Sequence, residues 1–256
     1  MASPEALLFD LRDAWRGALK DGLVGLYVHG SLVAGDFAAD RSDLDLLAVL
    51  NADPSEQLLD VLAALHANLD GRHPQWAGRI EVEYVSIDVV RQAAGGGIAP
   101  YRLIARVSPG ESLHLLEATT HRVVTWSTVH DSGRVLLGQP ADTLLPAFDA
   151  GLVRSALLDH VRDWPTWVMR MTTPGAQSYA VLTMCRALQR LRYGRQLSKR
   201  QAADQTVGVC PEWAHLIKWA RDWWYGHGHD TDSGRTDDVR RFVVELSAII
   251  LSSEDG

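Results

Sequence analysis

Cysteines and long apolar runs are scarce in this sequence. Only Cys185 and Cys210 occur among 256 residues. Their spacing fits no metal-binding motif, so the sequence predicts neither a disulfide framework nor a structural zinc site. No apolar run approaches the about 20 residues of a membrane helix, and the N-terminus lacks a basic start followed by an apolar core. These absences predict a cytoplasmic protein that has no membrane partner.

Positive charge is also in short supply. The chain carries 25 Lys and Arg against 32 Asp and Glu, for a net charge of -7. Partners such as nucleic acids normally select a basic surface, so this balance argues against nucleic-acid binding. An acidic protein suits a cationic small molecule, and we expect a monomer that acts on such an acceptor.

The first half of the chain mixes helical and strand patterns. Leu7, Leu11 and Trp15 lie on one stripe of a predicted first helix that Gly22 can end. The segments "LVGLYVHG", "LDLLAVL" and "RIEVEYVSIDVV" predict strands, and "EQLLDVLAALHANLDG" predicts a helix. "HRVVTWSTV" and "GRVLLG" are further strand candidates. This order predicts an α+β fold with a mixed sheet and flanking helices.

Helical patterns alone follow from about Leu144 onward. The long stripe "AQSYAVLTMCRALQRLRYG" ends at Gly194, a residue suited to a helix C-cap, and "SKRQ" has the form of a capping box. We therefore predict a mixed domain over residues 1–145 and a helical bundle domain over residues 146–256.

Asp43 and Asp45 alternate with apolar residues at the start of "DLDLLAVL". Residues two apart on a strand share a face, so these two like charges lie side by side. A hard divalent cation such as Mg²⁺ would relieve their repulsion. The alternative is an edge strand with two solvated carboxylates.

A Gly-Ser pair, Gly30 and Ser31, follows the preceding strand, where glycine lets backbone approach a ligand and serine can bond phosphate oxygens. The combined pattern, GSx(11)DxD, resembles the nucleotidyltransferase superfamily that includes DNA polymerase beta. A third carboxylate is expected on an adjacent strand, and "IEVEY" offers Glu81 and Glu83.

The chain also resembles the adenylyltransferase family that modifies streptomycin and spectinomycin. "GSLVAGDFAADRSDLDLL" matches that family's "GSxVxGxxxxxSDxDLL" with one extra loop residue, and "IEV" matches its "VEV". "LTMCR", "YG" and "SKRQAAD" match its "LTxxR", "TG" and "SKxxAAD". The resemblance spans most of the chain. It implies AMP transfer from ATP to an aminoglycoside or aminocyclitol hydroxyl, with release of pyrophosphate.

The resemblance also implies roles for particular residues. Asp43 and Asp45 would hold Mg²⁺, and Glu81 would be the general base, with Glu83 as a competitor that is expected to face solvent. The residues expected to bind ATP, which would bridge the two domains, are Gly30, Ser31, Ser42, Arg186 and Lys199. For the two cations, the alternative is an ordinary surface position.

The acceptor-binding positions depart from the family pattern. Ala176 and Tyr179 stand where an acidic residue and a histidine are expected, and Trp126 lies in a segment interpreted as a core strand. One alternative is therefore a nucleotidyltransferase whose acceptor is a protein, an RNA or another metabolite. A second alternative is a module that binds a nucleotide without catalysis.

Four tryptophans are candidates to stack on adenine or a sugar, with packing in the helical core as the alternative: Trp164, Trp167, Trp223 and Trp224. The resemblance also implies an aromatic residue near the nucleotide at Trp224 or Tyr225. His227 and His229 form only a weak metal-binding pattern.

Overall fold

The computed structural model describes residues 4–38, 41–226 and 235–252. These residues divide into two compact units, with Leu152 the last residue of the first unit and Val153 the first of the second. Among the described helices, none is both long enough and apolar enough to cross a membrane.

The first unit alternates helices and strands. Its elements are α1 (Pro4–Leu19), β1 (Leu23–His29), α2 (Gly30–Val33), β2 (Leu44–Leu50), α3 (Glu56–Arg72), β3 (Ile80–Ser86), α4 (Ile87–Ala94), β4 (Leu103–Ser108), β5 (Glu111–Glu117), α5 (Val123–Ser132), β6 (Arg134–Leu137) and α6 (Ala141–Leu144). Helix α7 (Ala150–Trp167) begins in this unit and continues into the second.

The described strands form one six-stranded sheet in the order β5-β4-β3-β2-β1-β6. Strands β2 and β3 run parallel, and the other neighbouring strands pair antiparallel. The mixed sheet with flanking helices confirms the predicted α+β class. It also puts β2 and β3, the strands that carry Asp45, Glu81 and Glu83, at the centre of the sheet.

One face of the sheet supplies the main hydrophobic core. Leu44, Leu46 and Tyr84 on the central strands pack with Leu11 and Trp15 of α1, and α3 contributes Leu62, Leu65 and Leu69 to the same cluster. Because side chains alternate along a strand, the intervening residues of β2 and β3 lie on the opposite face. The predicted acidic residues belong to that second face.

Two predicted strands are corrected by the structure. "HRVVTWSTV" lies mostly in helix α5, where Val123, Trp126 and Val129 recur at helical spacing and are fully buried, so packing overrides the strand preference of valine. The strand predicted for "RIEVEYVSIDVV" ends at Ser86. The Ser86 side chain accepts a hydrogen bond from the Val89 amide and begins helix α4.

Helices make up the described part of the second unit. They are the continuation of α7, then α8 (Pro174–Tyr193), α9 (Lys199–Val209), α10 (Ala214–Tyr225) and α11 (Arg235–Ser252). Gly194 ends α8 with a positive φ of 69°, and Ser198 with Gln201 forms the predicted capping box of α9. Both predicted helix boundaries are confirmed, whereas the predicted domain bounds stay a prediction.

Candidate active site

The turn after β1 lies against the aspartate of β2. Gly30 has a positive φ of 66°, a conformation that side chains disfavour. A Cβ added at this position would overlap Oδ2 of Asp45 and lie 2.6 Å from its Cγ. Glycine is therefore needed here for two separate reasons, and its absent side chain leaves the space that the Asp45 carboxylate occupies. Ser31 is the second residue of the one-turn helix α2 that follows.

Asp45 is the second residue of β2 and pairs in register with His29 of β1 and Glu81 of β3. Asp43 comes one residue before the first residue of the strand, so the prediction that both aspartates lie within the strand is wrong for Asp43. Both side chains are partly exposed. The structure thus brings Gly30, Asp45 and Glu81 together at one end of the central strands.

Glu81 forms an ion pair with an arginine that the sequence pattern did not reveal. Nη2 of Arg106 on β4 donates to Oε1 of Glu81 at 3.0 Å, and Nη1 of the same guanidinium donates to Oε2 of Glu111 at 2.8 Å. Burial lowers the pKa of Arg106, but the charges of Glu81, Glu111 and Glu83 outweigh burial, and the pKa is raised overall. Arg106 therefore remains charged beside Glu81.

Glu83 does not face solvent, contrary to the expectation. It is 6% exposed, and its Oε1 accepts a 2.6 Å hydrogen bond from Nε1 of Trp126. Nη1 of Arg122 lies 3.2 Å from Oε2. A carboxylate placed on the face that carries α5 is buried there and needs such partners, because an unpaired buried charge is costly. Trp126 is a core residue, as expected, but it lies in a helix and binds an acid.

Ser42 closes the loop that precedes β2. Its Oγ accepts a 2.9 Å hydrogen bond from the Ala38 amide, and its carbonyl accepts a 2.5 Å hydrogen bond from Nη2 of Arg79. The Arg79 guanidinium lies 4.8 Å from the ring centroid of Trp76. These contacts fix the approach of the chain to Asp43. The predicted contact of Ser42 with a triphosphate stays a prediction.

The donor set at this end of the sheet fits Mg²⁺. That ion commonly takes one or two carboxylates together with substrate phosphates, and Asp43 and Asp45 supply two partly exposed carboxylates two residues apart, with Asp45 against the Gly30 turn. In residues 4–38, 41–226 and 235–252, no three His, Cys, Asp or Glu side chains are grouped closely enough to form a metal site of their own.

Lys199 lies between two aromatic rings of the second unit. It is the first residue of α9, directly after the capping residue Ser198. Its Nζ is 3.5 Å from the ring centroid of Trp224 and 5.5 Å from that of Tyr179, which is the geometry of a cation–π contact. Arg186 lies in α8 and is partly buried.

Tyr179 and its neighbours form a continuous aromatic row. The centroid distances are 5.7 Å from Trp167 to Trp164, 6.1 Å from Trp164 to Tyr179 and 6.2 Å from Tyr179 to Trp224. Trp164 is buried, as the core alternative expected, while Trp167 and Tyr179 are 37% and 42% exposed.

Three further candidates, one aromatic and two histidines, have different outcomes. The Tyr225 hydroxyl accepts a 3.1 Å hydrogen bond from the Arg200 amide, and the Tyr225 ring lies 3.9 Å below the Arg200 guanidinium. Tyr225 thus fixes the first turn of α9. His227 and His229 lie outside the described residues.

Comparison with known proteins gives a matching C-terminal domain and a fold. Residues 143–248 match the family model of the aminoglycoside adenylyltransferase C-terminal domain. The chain is also similar to a spectinomycin adenyltransferase, AAD(9) from Enterococcus faecialis, whose crystal structure contains ATP and spectinomycin. That similarity has a TM-score of 0.75 at 16% sequence identity, and covers 96% of this chain and 98% of that chain. No curated protein matches the sequence significantly. Residues 143–248 are therefore similar to the C-terminal domain of aminoglycoside adenylyltransferases, and the chain as a whole shares the fold of that solved structure.

Proposed function

We propose that this protein is a Mg²⁺-dependent adenylyltransferase that moves AMP from ATP to a hydroxyl of an aminoglycoside or aminocyclitol and releases pyrophosphate. The observation that carries the proposal is the pairing of Asp45 with Glu81 on neighbouring parallel strands, beside the turn at Gly30. Two acids of one face can serve different roles there, one as a metal ligand and one as a base.

Asp43 and Asp45 are the residues that would hold the metal. When bound there, Mg²⁺ would neutralise part of the negative charge on the phosphates of ATP. Gly30 lets the backbone of the β1 turn come close to the nucleotide, and Ser31 and Ser42 offer hydroxyl groups to phosphate oxygens. Ser42 also keeps its loop closed, so its contribution includes placing Asp43.

Glu81 is the proposed general base. Its carboxylate takes the proton as the acceptor O–H bond breaks, and the acceptor oxygen forms a bond to the α-phosphorus. The bond from the α-phosphorus to the bridging oxygen breaks, and pyrophosphate leaves with that electron pair. Glu83 is a poorer candidate because Trp126 and Arg122 already occupy its two oxygens.

Arg186 and Lys199 are the proposed cations of the second domain for the triphosphate. Fixed positive charges stabilise the negative charge that develops on phosphate oxygens during transfer. We further propose that residues 1–145 act as the nucleotidyltransferase domain, that residues 146–256 act as the helical domain, and that the enzyme is a monomer.

The test is pyrophosphate release with ATP and Mg²⁺ against streptomycin, spectinomycin and kanamycin. We expect release with one of these compounds, and Glu81→Gln should lower kcat by about 100-fold or more while ATP still binds. Glu83→Gln is the matched control, since it changes the same side chain two residues along the same strand. Near-normal turnover by Glu81→Gln would show that Glu81 is not the base.

A second candidate is AMP transfer to an acceptor other than these antibiotics. The favouring observation is that Ala176 and Tyr179 replace the expected acid and histidine, and that the Tyr179 ring faces the Lys199 cation. A cationic antibiotic would meet no carboxylate at either position. If none of the three antibiotics gives pyrophosphate release although ATP still binds, this candidate is favoured.

A further inference from the structure

We propose that Arg106 is a positioning residue for the proposed general base: it holds one oxygen of Glu81 and leaves the other to take the acceptor proton. The inference rests on the proposed function, because it assigns a partner to the base of that reaction. Arg106 lies on β4, next to the strand that carries Glu81.

The arginine is fixed from two sides. Nη2 donates to Oε1 of Glu81 at 3.0 Å, and Nη1 donates to Oε2 of Glu111 at 2.8 Å. Ser108 Oγ donates to the same oxygen of Glu111 at 2.9 Å, which holds that carboxylate in turn. A guanidinium is planar and rigid, so anchoring one of its nitrogens restricts the direction of the other.

The order of the strands places Arg106 and Asp45 on different sides of Glu81. Strand β3 lies between β2 and β4. Arg106 lies opposite Glu83 in the register of β3 with β4, and its guanidinium reaches Glu81 diagonally from the side away from Asp45. Asp45 pairs directly with Glu81 across the parallel strands, and two like charges in such a pair repel. Attraction to Arg106 on the far side draws the Glu81 carboxylate away from Asp45. Asp45 would then be left to hold the metal, and Glu81 would act as a separate base.

The proton transfer uses the oxygen that takes no part in the ion pair. Arg106 contacts Oε1 of Glu81, and Oε2 receives the proton from the acceptor hydroxyl as its oxygen bonds to the α-phosphorus. The bond between the α-phosphorus and the pyrophosphate oxygen breaks with that step. Arg106 keeps all its protons and contacts no reacting atom.

The experiment compares steady-state pyrophosphate release by Arg106→Met, Arg106→Lys and Glu111→Gln in the full-length protein. Methionine keeps much of the aliphatic length without charge, and we expect kcat about 100-fold lower with the KM for ATP within about twofold. Lysine restores the charge but cannot contact both carboxylates as the guanidinium does, so we expect the kcat of Arg106→Lys to be about tenfold higher than that of Arg106→Met. Glu111→Gln frees one side of Arg106 and should lower kcat by about threefold.

Arg134→Met is the matched control, because Arg134 lies on β6, the edge strand at the other side of the sheet, and forms an ion pair with Glu5 of α1. It should leave kcat unchanged. In a Glu81→Gln background, Arg106→Met should cause no further loss, since an arginine that acts through Glu81 has nothing left to position. Thermal melting of each variant checks that it folds.

Two results would overturn the inference while the proposed function stands. One is a wild-type-like kcat in Arg106→Met, and the other is an equal further loss when Arg106→Met is added to Glu81→Gln. If Arg106→Met does not fold, the two other variants decide. The inference is overturned if Glu111→Gln has an unchanged kcat and Arg106→Lys is as slow as Glu81→Gln. An inactive wild-type protein with every acceptor would instead overturn the proposed function, and the inference with it.

Discussion

At the scale of single residues, Gly30 of the Gly-Ser pair lies against Asp45 of the Asp-x-Asp motif. Its positive φ and its contact with Asp45 come from different constraints, since the first concerns the local backbone and the second a side chain on the next strand. Sequence alone identifies the Gly-Ser pair and the two aspartates, but the distance between Gly30 and Asp45 depends on how β1 and β2 pair.

Gly30→Ala should therefore lower both activity and stability. The added methyl overlaps the Asp45 carboxylate and also strains the backbone, for a total cost of about 2 to 4 kcal/mol in unfolding free energy. Gly78→Ala is the control, because Gly78 lies outside the motif and has a similar φ of 68° with no atom within 4 Å of an added Cβ. It should cost about 1 kcal/mol and leave transfer intact. Urea unfolding and pyrophosphate release measure both effects, and equal losses in the two variants would contradict this account.

Arg106 and Arg122 show what residue-level sequence reasoning could not supply. Each is a single arginine in an unremarkable segment. The register of β3 with β4 places Arg106 opposite Glu83, from where it reaches Glu81 diagonally, and the packing of α5 brings Arg122 to Glu83. The acids themselves were found because their spacing of two marks one face of a strand. Long-range ion pairs carry no such local spacing.

At the scale of elements, strongly periodic segments follow the sequence pattern, whereas the short apolar segment that forms α5 does not. Helices α1 and α3 and strands β1 and β2 lie where the sequence pattern indicates. Helix α5 was predicted as a strand because "VVTW" favours one, whereas its burial against the sheet follows a helical repeat. Such a short apolar segment is decided by tertiary packing, which the local pattern does not contain.

Helix α3 and strand β3 are joined by a buried polar contact that should make stability depend on pH. His66 Nε2 lies 2.8 Å from the Tyr84 hydroxyl, and burial lowers the pKa of His66 from 6.5 to about 4, although Asp70 acts in the opposite direction. The unfolded chain therefore binds a proton at higher pH than the folded protein. Stability is full above about pH 6.5 and falls as the pH drops towards 4, by about 3 kcal/mol from this group.

Urea unfolding at pH 7.5 and pH 5 measures this dependence, and His66→Gln is the comparison. Glutamine can still hydrogen-bond the Tyr84 hydroxyl but does not titrate, so its variant should lose less stability between the two pH values than the wild type. Acidic residues also titrate in this range, and they contribute equally to both proteins. Equal losses in wild type and variant would show that His66 does not carry the effect.

At the scale of the whole molecule, charge is distributed unevenly along the chain. The protein has a net charge of -7, yet residues 164–203 contain no Asp or Glu. The cations of that segment are Arg170, Arg186, Arg190, Arg192, Arg195, Lys199 and Arg200. A positive segment in an otherwise acidic protein suits a polyanion such as a triphosphate, in agreement with the proposed roles of Arg186 and Lys199.

ATP binding should consequently weaken as salt concentration rises. Raising NaCl from about 0.05 M to about 0.5 M shortens the screening length from roughly 14 Å to roughly 4 Å, and we expect the Kd for ATP to increase about tenfold. Lys199→Met should weaken binding at low salt and reduce this salt dependence, because one of the attracting charges is gone. Arg91→Met, which removes an exposed cation of α4, should do neither. Isothermal titration calorimetry at both salt concentrations measures the effect. A Kd that is the same at both concentrations would show that the positive segment does not attract the nucleotide.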